Sequence, residues 1–214
     1  GMKESLGEAA ARYLEYTIKD GNIVGVSMGS TLFEVVSHVV HPAAQKVTFV
    51  PLVGGVGRVR MELHANSLAE SLSRIYNGKF VPLHAPARVS SRNIRDELLK
   101  EDSLLPAIYL TQKLDIAIVG IGYPNEKSAI MATGYFKENE IESLIDRKVA
   151  GELCMQFYDI YGDTAPYKDD NNVIGMDISM LRSVPRSIGI AGGVEKLRAV
   201  RGAVSYTHLT LPTT

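Results

Sequence analysis

A short apolar run that ends near glycine and leads into a helical segment recurs along this sequence, and this unit constrains the fold more than any other feature. Four such transitions occur, over residues 23–29, 47–57, 114–122 and 187–193. Parallel strands need long crossover connections, which are usually helices. The alternation therefore predicts an α/β fold of three layers, a mostly parallel sheet covered by helices on both faces.

The spacing of apolar residues predicts the elements between these transitions. Apolar residues at intervals of three and four predict a helix over 6–18, and a polar helix is expected over about 65–76. Further helices are expected over 94–99 and from about Val194, and a further strand over 79–83. The segment around Cys154 is apolar and is interpreted as helical, with a buried structural thiol.

Composition excludes several classes of protein. The 214 residues suit a single α/β domain. The formal net charge is −1 and no basic cluster occurs, so this segment alone is not expected to bind DNA tightly. No apolar run reaches the length of a membrane span, and no signal peptide is visible. We therefore expect a cytoplasmic protein with no membrane partner.

The first glycine loop offers an anion site. In Gly25-Val26-Ser27-Met28-Gly29-Ser30-Thr31, glycine lets the main chain approach a phosphate, and the start of the next helix adds N–H donors and a favourable dipole. Ser30 and Thr31 add hydroxyl groups, and either could also act as the helix N-cap. The alternative interpretation is a capped tight turn without a ligand. The pattern is neither a Walker motif nor a dinucleotide fingerprint.

Two further loops are expected at the same edge of the sheet. Gly54-Gly55-Val56-Gly57-Arg58 follows the second strand, and Gly192-Gly193-Val194-Glu195-Lys196 follows the last one. Arg58 could donate to a phosphate or a sugar hydroxyl, although it could equally be a solvated surface residue. Lys196 lies one turn inside its helix and could reach back to an anion. Because ligands of parallel sheets bind at the carboxyl ends of the strands, the three loops predict one shared anion site.

Catalytic signatures are weaker than binding signatures. His38 and His41 lack a third ligand nearby and are interpreted as surface residues, so no metal or other cofactor is expected. His64 and His84 could face the cleft, and His64 is the better candidate for a sugar hydroxyl. Ser27 lies in a Gly-x-Ser-x-Gly pattern, so a hydrolase must be considered. No later Asp and His pair completes a triad, because His208 lies in the atypical segment over residues 205–214.

The ordered segments together resemble the effector-binding domain of the SorC family of bacterial transcription regulators. The resemblance extends to about Gly202 and is carried by residues 20–31, 50–55, 116–122, 134–136, 149–152, 173–175 and 190–196. It implies a Rossmann-like fold similar to that of ribose-5-phosphate isomerases, normally preceded by a helix-turn-helix domain that is missing from these residues.

The resemblance also implies roles for individual residues. Those expected to hold the effector phosphate are Gly29, Ser30, Thr31 and Lys196. Those expected to contact the sugar are Gly54, Gly55 and Glu152, to which the loop positions add Arg58, His64, Gly122, Gly192 and Gly193. Effector binding in such proteins alters a dimer or tetramer equilibrium and thereby operator affinity. DNA is expected as a partner only through the missing domain.

Two departures from the family matter. Relatives that sense deoxyribose 5-phosphate form a Schiff base through a lysine directly before the paired glycines, where this chain has Val53, so reversible binding is expected. The family domain normally closes with an apolar strand and a helix, whereas this chain continues with an unrelated segment. We therefore assign residues 1–204 to the effector-binding domain and treat residues 205–214 as an atypical tail that looks foreign to it.

The sequence thus favours a sensor of phosphorylated sugars without enzymatic activity. A sugar-phosphate isomerase on the same fold is the alternative, because Glu152 could serve as the base that isomerisation requires.

Overall fold

The centre of the molecule is a parallel β-sheet. The computed structural model describes residues 1–125 and 127–207. Its strands are β1 (Ile23–Val26), β2 (Thr48–Pro51), β3 (Lys79–Phe80), β4 (Ile116–Gly120), β5 (Gly151–Leu153), β6 (Gln156–Tyr158) and β7 (Arg186–Ile190). Five of them form one parallel sheet in the order β3-β2-β1-β4-β7, and β5 pairs with β6 in an antiparallel hairpin.

Helices cover both faces of this sheet. The α-helices are α1 (Met2–Thr17), α2 (Ser30–His38), α3 (Ala65–Ile75), α4 (Arg92–Leu98), α5 (Leu105–Thr111), α6 (Ala129–Ala132), α7 (Glu138–Asp146) and α8 (Leu197–Thr207). Short 3-10 helices lie at Met61–Leu63, Ala165–Asp170, Ile178–Ser183 and Val194–Lys196. The expected α/β class with three layers and a Rossmann-like sheet is confirmed.

Alternate residues of the central strands enter two separate cores. Val24 and Ile118 pack with α1, α2 and α3 on one face. Ala117 and Val119 pack with α5, α7, α8 and the β5–β6 hairpin on the other. Strands that are apolar on both faces are what a parallel sheet covered by helices requires. Each fully buried Leu or Ile stabilises the fold by roughly 1.5–3 kcal/mol.

The strand order creates a switch point between β1 and β4. From β1 the chain builds outward through β2 to β3, then returns to place β4 and β7 on the other side of β1. The crevice at the carboxyl ends of β1 and β4 is where sheets of this kind accept ligands.

The interpretation of the Cys154 segment as helical is wrong. Leu153 and Gln156 pair across a two-residue turn in which Cys154 has φ +50° and Met155 has φ +63°. Both turn residues adopt the left-handed conformation that such a hairpin needs. An apolar run buried on all sides carries no period that separates helix from strand. The thiol itself is buried, as expected.

The sequence patterns missed or overextended several short elements. α5, α6 and α7 were not predicted, and the loop expected over 161–172 contains a 3-10 helix. The strand expected over 79–83 pairs only at Lys79 and Phe80, because Pro82 has no N–H to continue the ladder.

The expected end of the domain, after residue 204, falls within a helix. α8 runs from Leu197 to Thr207 and so passes through the expected boundary after residue 204. Most of the tail expected over 205–214 lies outside the described residues. Across the described part of the chain, none of the helices has the length and apolar character to span a bilayer.

Candidate ligand site at the carboxyl edge of the sheet

The loop between β1 and α2 is anchored to its neighbours on both sides. The Ser27 N–H donates to the Ile118 carbonyl at 3.0 Å, and the Ser27 hydroxyl accepts the Gly120 N–H at 3.3 Å. On the other side, the Gly29 N–H donates to the Leu63 carbonyl at 3.0 Å. These contacts fix the path of the loop across the switch point.

The start of α2 presents its backbone donors at this edge. Gly29 is the N-cap, with φ +123°, and within the described residues it receives no side-chain cap. The prediction that Ser30 or Thr31 serves as N-cap is therefore wrong. Both are instead the first helical residues, whose N–H groups have no carbonyl partner inside the helix. The helix dipole also stabilises an anion near these donors.

Lys3 reaches this helix end from α1. Its Nζ atom donates to the Ser30 hydroxyl at 3.1 Å. The sequence patterns do not reveal this residue, because 27 positions separate it from Ser30 and it lies outside the glycine loops. Only the packing of α1 beside α2 brings the ammonium group to the site.

Lys196 supplies a second cation beside the switch point. Its Nζ atom donates to the carbonyl of Ile121, just beyond β4, at 2.9 Å. Burial lowers the pKa of Lys196, the negative charge of Glu152 opposes this, and the positive charge of Lys3 lowers the pKa further. Glu152 and Lys3 each therefore lie close enough to Lys196 to influence its charge.

Glu152 lies on the β5–β6 hairpin beside the end of β4. Its backbone exchanges two hydrogen bonds with Gly122, of 3.0 and 2.9 Å, and one carboxylate oxygen accepts the Met155 N–H at 2.9 Å. Burial raises the pKa of Glu152 to about 7, although the Met155 N–H and the charge of Lys196 act in the opposite direction. The carboxyl group can thus either accept or donate a hydrogen bond near neutral pH.

The absence of a side chain at Gly122 makes room for Glu152. A Cβ atom added at Gly122 would overlap the Glu152 carboxylate. The glycine therefore lets this carboxylate lie directly against the backbone at the end of β4.

The paired glycines after β2 are used by the fold itself. The Gly54 N–H donates to the Ile174 carbonyl at 3.0 Å, and the Gly55 N–H donates to the Ala85 carbonyl at 2.8 Å. The Gly55 carbonyl accepts the Ala87 N–H at 2.7 Å and the Tyr135 hydroxyl at 3.2 Å. These groups hold neighbouring segments together.

Arg58 and His64 lie next to this loop. The exposed Arg58 side chain covers Gly134, where an added Cβ would be 3.0 Å from its Nε atom. One His64 ring nitrogen lies 2.9 Å from the Val59 carbonyl. His64 follows the 3-10 helix that contacts Gly29, so it connects the first two loops.

The loop after β7 packs under the start of α1. A Cβ atom at Gly192 would lie 3.2 Å from the Leu6 side chain and 3.8 Å from that of Met2. Gly193 has φ +107° and precedes the 3-10 helix that carries Lys196. This glycine turns the chain so that Lys196 points back toward Ile121.

Other expected residues stand apart from this arrangement. His84 and His41 are exposed, and His38 ends α2. Among the described residues, no group of three or more potential ligands could hold a metal ion. Ser27 is only 2% exposed, whereas a nucleophile elbow exposes its hydroxyl. The geometry therefore gives no support to a hydrolase.

The fold is a Rossmann-like sheet with polar groups gathered at its switch point. The family model named "Putative sugar-binding domain" matches residues 1–211. The chain belongs to this family, the sugar-binding domains of SorC-type transcription regulators.

Curated relatives are named as transcription regulators. The deoxyribonucleoside regulator of Bacillus subtilis (strain 168) is 26% identical over 207 residues, which cover 96% of this chain and 65% of that protein. The sorbitol operon regulator of Klebsiella pneumoniae is 26% identical over 96% of this chain and 66% of its own length. The chain thus spans just under two thirds of these relatives.

Solved structures agree with this assignment. The full-length sorbitol operon regulator SorC from Klebsiella pneumoniae matches 98% of this chain and 69% of its own chain, with a TM-score of 0.87 and 26% identity. The Shigella flexneri protein named "Probable sor Operon Regulator" matches 98% of this chain and 82% of its own chain, with a TM-score of 0.88 and 26% identity.

Proposed function

We propose that this domain senses a phosphorylated sugar, which it binds reversibly at the carboxyl edge of the sheet. The observation that carries the proposal is that the N-terminus of α2 follows β1 and the Lys196 ammonium group donates to the Ile121 carbonyl just beyond β4, so that both lie at the switch point. Backbone donors, a helix dipole and a cation together suit a phosphate group. Gly29, Ser30, Thr31 and Lys196 form the phosphate subsite.

The sugar lies between this subsite and the neighbouring loops. Glu152 accepts hydrogen bonds from sugar hydroxyls, and its position against Gly122 keeps it at the switch point. The remaining residues of the sugar subsite are Gly54, Gly55, Arg58, His64, Gly192 and Gly193. Val53, before the paired glycines, is fully buried and has no amine to form an imine, which supports reversible binding.

Binding is coupled to DNA through a part of the regulator beyond these residues. The relatives are named as regulators and are longer than this chain, and its net charge of −1 does not favour a polyanion. We assign residues 1–204 to the sensing domain, without catalytic activity, in a cytoplasmic homodimer or homotetramer. Ligand occupancy shifts that assembly and thereby operator affinity.

A thermal-shift panel of sugars with and without phosphate tests this function. A ligand at a hundred times its Kd stabilises a protein by roughly 2.7 kcal/mol, which corresponds to a rise in Tm of about 5–10 °C for a domain of this size. Phosphorylated sugars such as ribose 5-phosphate should produce the rise, and free sugars should not.

Variants of the phosphate subsite give the decisive comparison. Lys196→Ala and Ser30→Ala should lose the response to phosphorylated sugars without gaining one to free sugars. Ser37→Ala, an exposed position near the other end of α2, is the matched control and should retain the response. An unchanged shift in both subsite variants would show that the phosphate does not bind here.

An isomerase is the second candidate, because burial raises the pKa of Glu152 to about 7. A carboxylate with such a pKa suits proton transfer from a sugar carbon at neutral pH. Turnover of ribose 5-phosphate that disappears in Glu152→Gln would establish this activity and overturn the sensor without catalysis. Stabilisation without turnover would support the sensor.

A further inference from the structure

The first turn of α1 carries a lysine where a helix disfavours positive charge. Lys3 is the second residue of α1, close to the positive end of that helix dipole. Its ammonium group lies 3.1 Å from the hydroxyl of Ser30, the first residue of α2. Lys3 therefore lies near the positive ends of two helices at once.

Lys196 adds to this concentration of positive charge. The charge of Lys3 lowers the pKa of Lys196, so the two ammonium groups repel each other. The acidic groups that attract Lys196 are Glu152, whose pKa is raised to about 7, and Glu195. Among the described residues neither lysine forms an ion pair, and the hydrogen-bond partner of Lys3 is the neutral Ser30 hydroxyl.

Packing fixes the first two turns of α1 to two walls of the site, the loop after β7 and helix α2. Met2 and Leu6 lie against Gly192, in the loop after β7. Gly7 lies so close to α2 that an added Cβ would be 2.9 Å from the Glu34 backbone. A displacement of the loop after β7 or of α2 would therefore also displace the start of α1.

We propose that Lys3 is a further anion-binding residue, which exchanges its hydrogen bond with Ser30 for one to the bound phosphate and so ties the first turn of α1 to ligand occupancy. The inference rests on the proposed function, which places the phosphate at the same end of α2. Two lysines and two helix dipoles favour the dianion of a phosphate monoester over a singly charged carboxylate. The start of α1 is then the element whose order changes with the ligand.

The test uses binding and hydrogen exchange on the same samples. Ribose 5-phosphate, other phosphorylated sugars and inorganic phosphate are titrated into wild type, Lys3→Met, Lys3→Arg and Lys19→Met. Lys19 is exposed and lies just beyond the opposite end of α1, so it controls for the loss of one charge. Amide exchange is then measured over residues 6–9 with and without the ligand that binds.

Three results are expected. Lys3→Met should weaken binding by roughly three- to tenfold, as the loss of one charge-assisted hydrogen bond implies, whereas Lys3→Arg and Lys19→Met should stay within about twofold of wild type. Without ligand, Lys3→Met should be as stable as wild type or more stable, because it removes a cation from a helix N-terminus. Ligand should slow exchange over residues 6–9 in wild type but not in Lys3→Met.

The outcomes separate this inference from the function on which it rests. If wild type binds the phosphorylated ligand and Lys3→Met binds it equally well, the role of Lys3 is refuted while the sensing function stands. If no phosphorylated ligand stabilises wild type, the proposed function fails and the inference fails with it. If Lys3→Met weakens binding but also destabilises the unliganded protein, the lysine is structural and the inference is overturned.

Discussion

The loops after β1 and β2 are both rich in glycine and end at the same edge of the sheet, yet they use glycine for different purposes. After β1, Gly29 turns the chain into α2 and leaves the first N–H groups of that helix facing the crevice. After β2, the N–H groups of Gly54 and Gly55 are already bonded to Ile174 and Ala85. The N–H groups of the first loop are open to a ligand, whereas those of the second are bonded to neighbouring segments and leave only packing contacts for the sugar.

The difference shows what a glycine can mean at the end of a strand. At Gly29 an added Cβ would have no atom within 4 Å, so glycine is needed there only because φ is positive, at +123°. At Gly54 an added Cβ would overlap the Ala85 carbonyl and lie 2.7 Å from the Pro86 carbonyl. Close approach of backbone to backbone needs glycine as strictly as close approach to a phosphate does.

The sharpest test of the closed loop is Gly54→Ala. The atoms that the new methyl group meets are backbone carbonyls, which cannot rotate away as a side chain can. We expect the free energy of unfolding to fall by about 3 kcal/mol or more, measured by urea denaturation.

Gly55→Ala is the matched control for this substitution. The nearest atom to its added Cβ is 3.8 Å away, so it should change the free energy of unfolding by about 1 kcal/mol at most. Equal losses in the two variants would show that the loop after β2 is not closed in the way described.

The stability that Glu152 contributes should depend on pH, unlike the stability that the loop after β2 contributes. Burial raises the pKa of Glu152 from 4.5 to about 7, so the folded state holds this proton more tightly than the unfolded state does. The resulting stabilisation is fully present below about pH 4.5 and is lost as the pH rises through about 7.

Glu152→Gln removes this titration. Relative to wild type, the variant should therefore gain stability by about 3 kcal/mol between pH 4 and pH 8, as measured by denaturation at each pH. Glu101→Gln, at an exposed position in the chain, should give a difference that hardly varies with pH. A constant difference for Glu152→Gln as well would mean that the carboxyl group is hydrated rather than buried.

The sheet and its loops were largely predictable, whereas the neighbours of each loop were not. The apolar runs and the glycines after them predicted β1, β2, β4 and β7, because parallel strands must be apolar on both faces. Nothing in Gly54-Gly55 itself reveals that residues 85–87 and 174 bond to it, since those contacts depend on tertiary packing.

Lys3 and Glu152 show the same limit for the site. Lys3 was missed because its place beside Ser30 depends on the packing of α1 against α2. Glu152 was expected from family resemblance alone. The sequence predicts a helix where the structure has the hairpin that positions it, because a buried apolar run has no diagnostic period.

Gly122→Ala tests the loop after β4. The substitution should weaken ligand binding, as expected of an open loop, but should change the free energy of unfolding only slightly. Its added Cβ overlaps the Glu152 carboxylate, the far end of a flexible side chain that can move aside. We expect a loss of only about 1 kcal/mol in the free energy of unfolding, together with a clear loss of the thermal shift produced by phosphorylated sugars. Gly120→Ala, whose added Cβ would lie 3.8 Å from the Met28 carbonyl, should retain that shift. A loss of stability as large as that of Gly54→Ala would place Gly122 with the closed loop instead, because it would mean that Glu152 is held as rigidly as the backbone around Gly54.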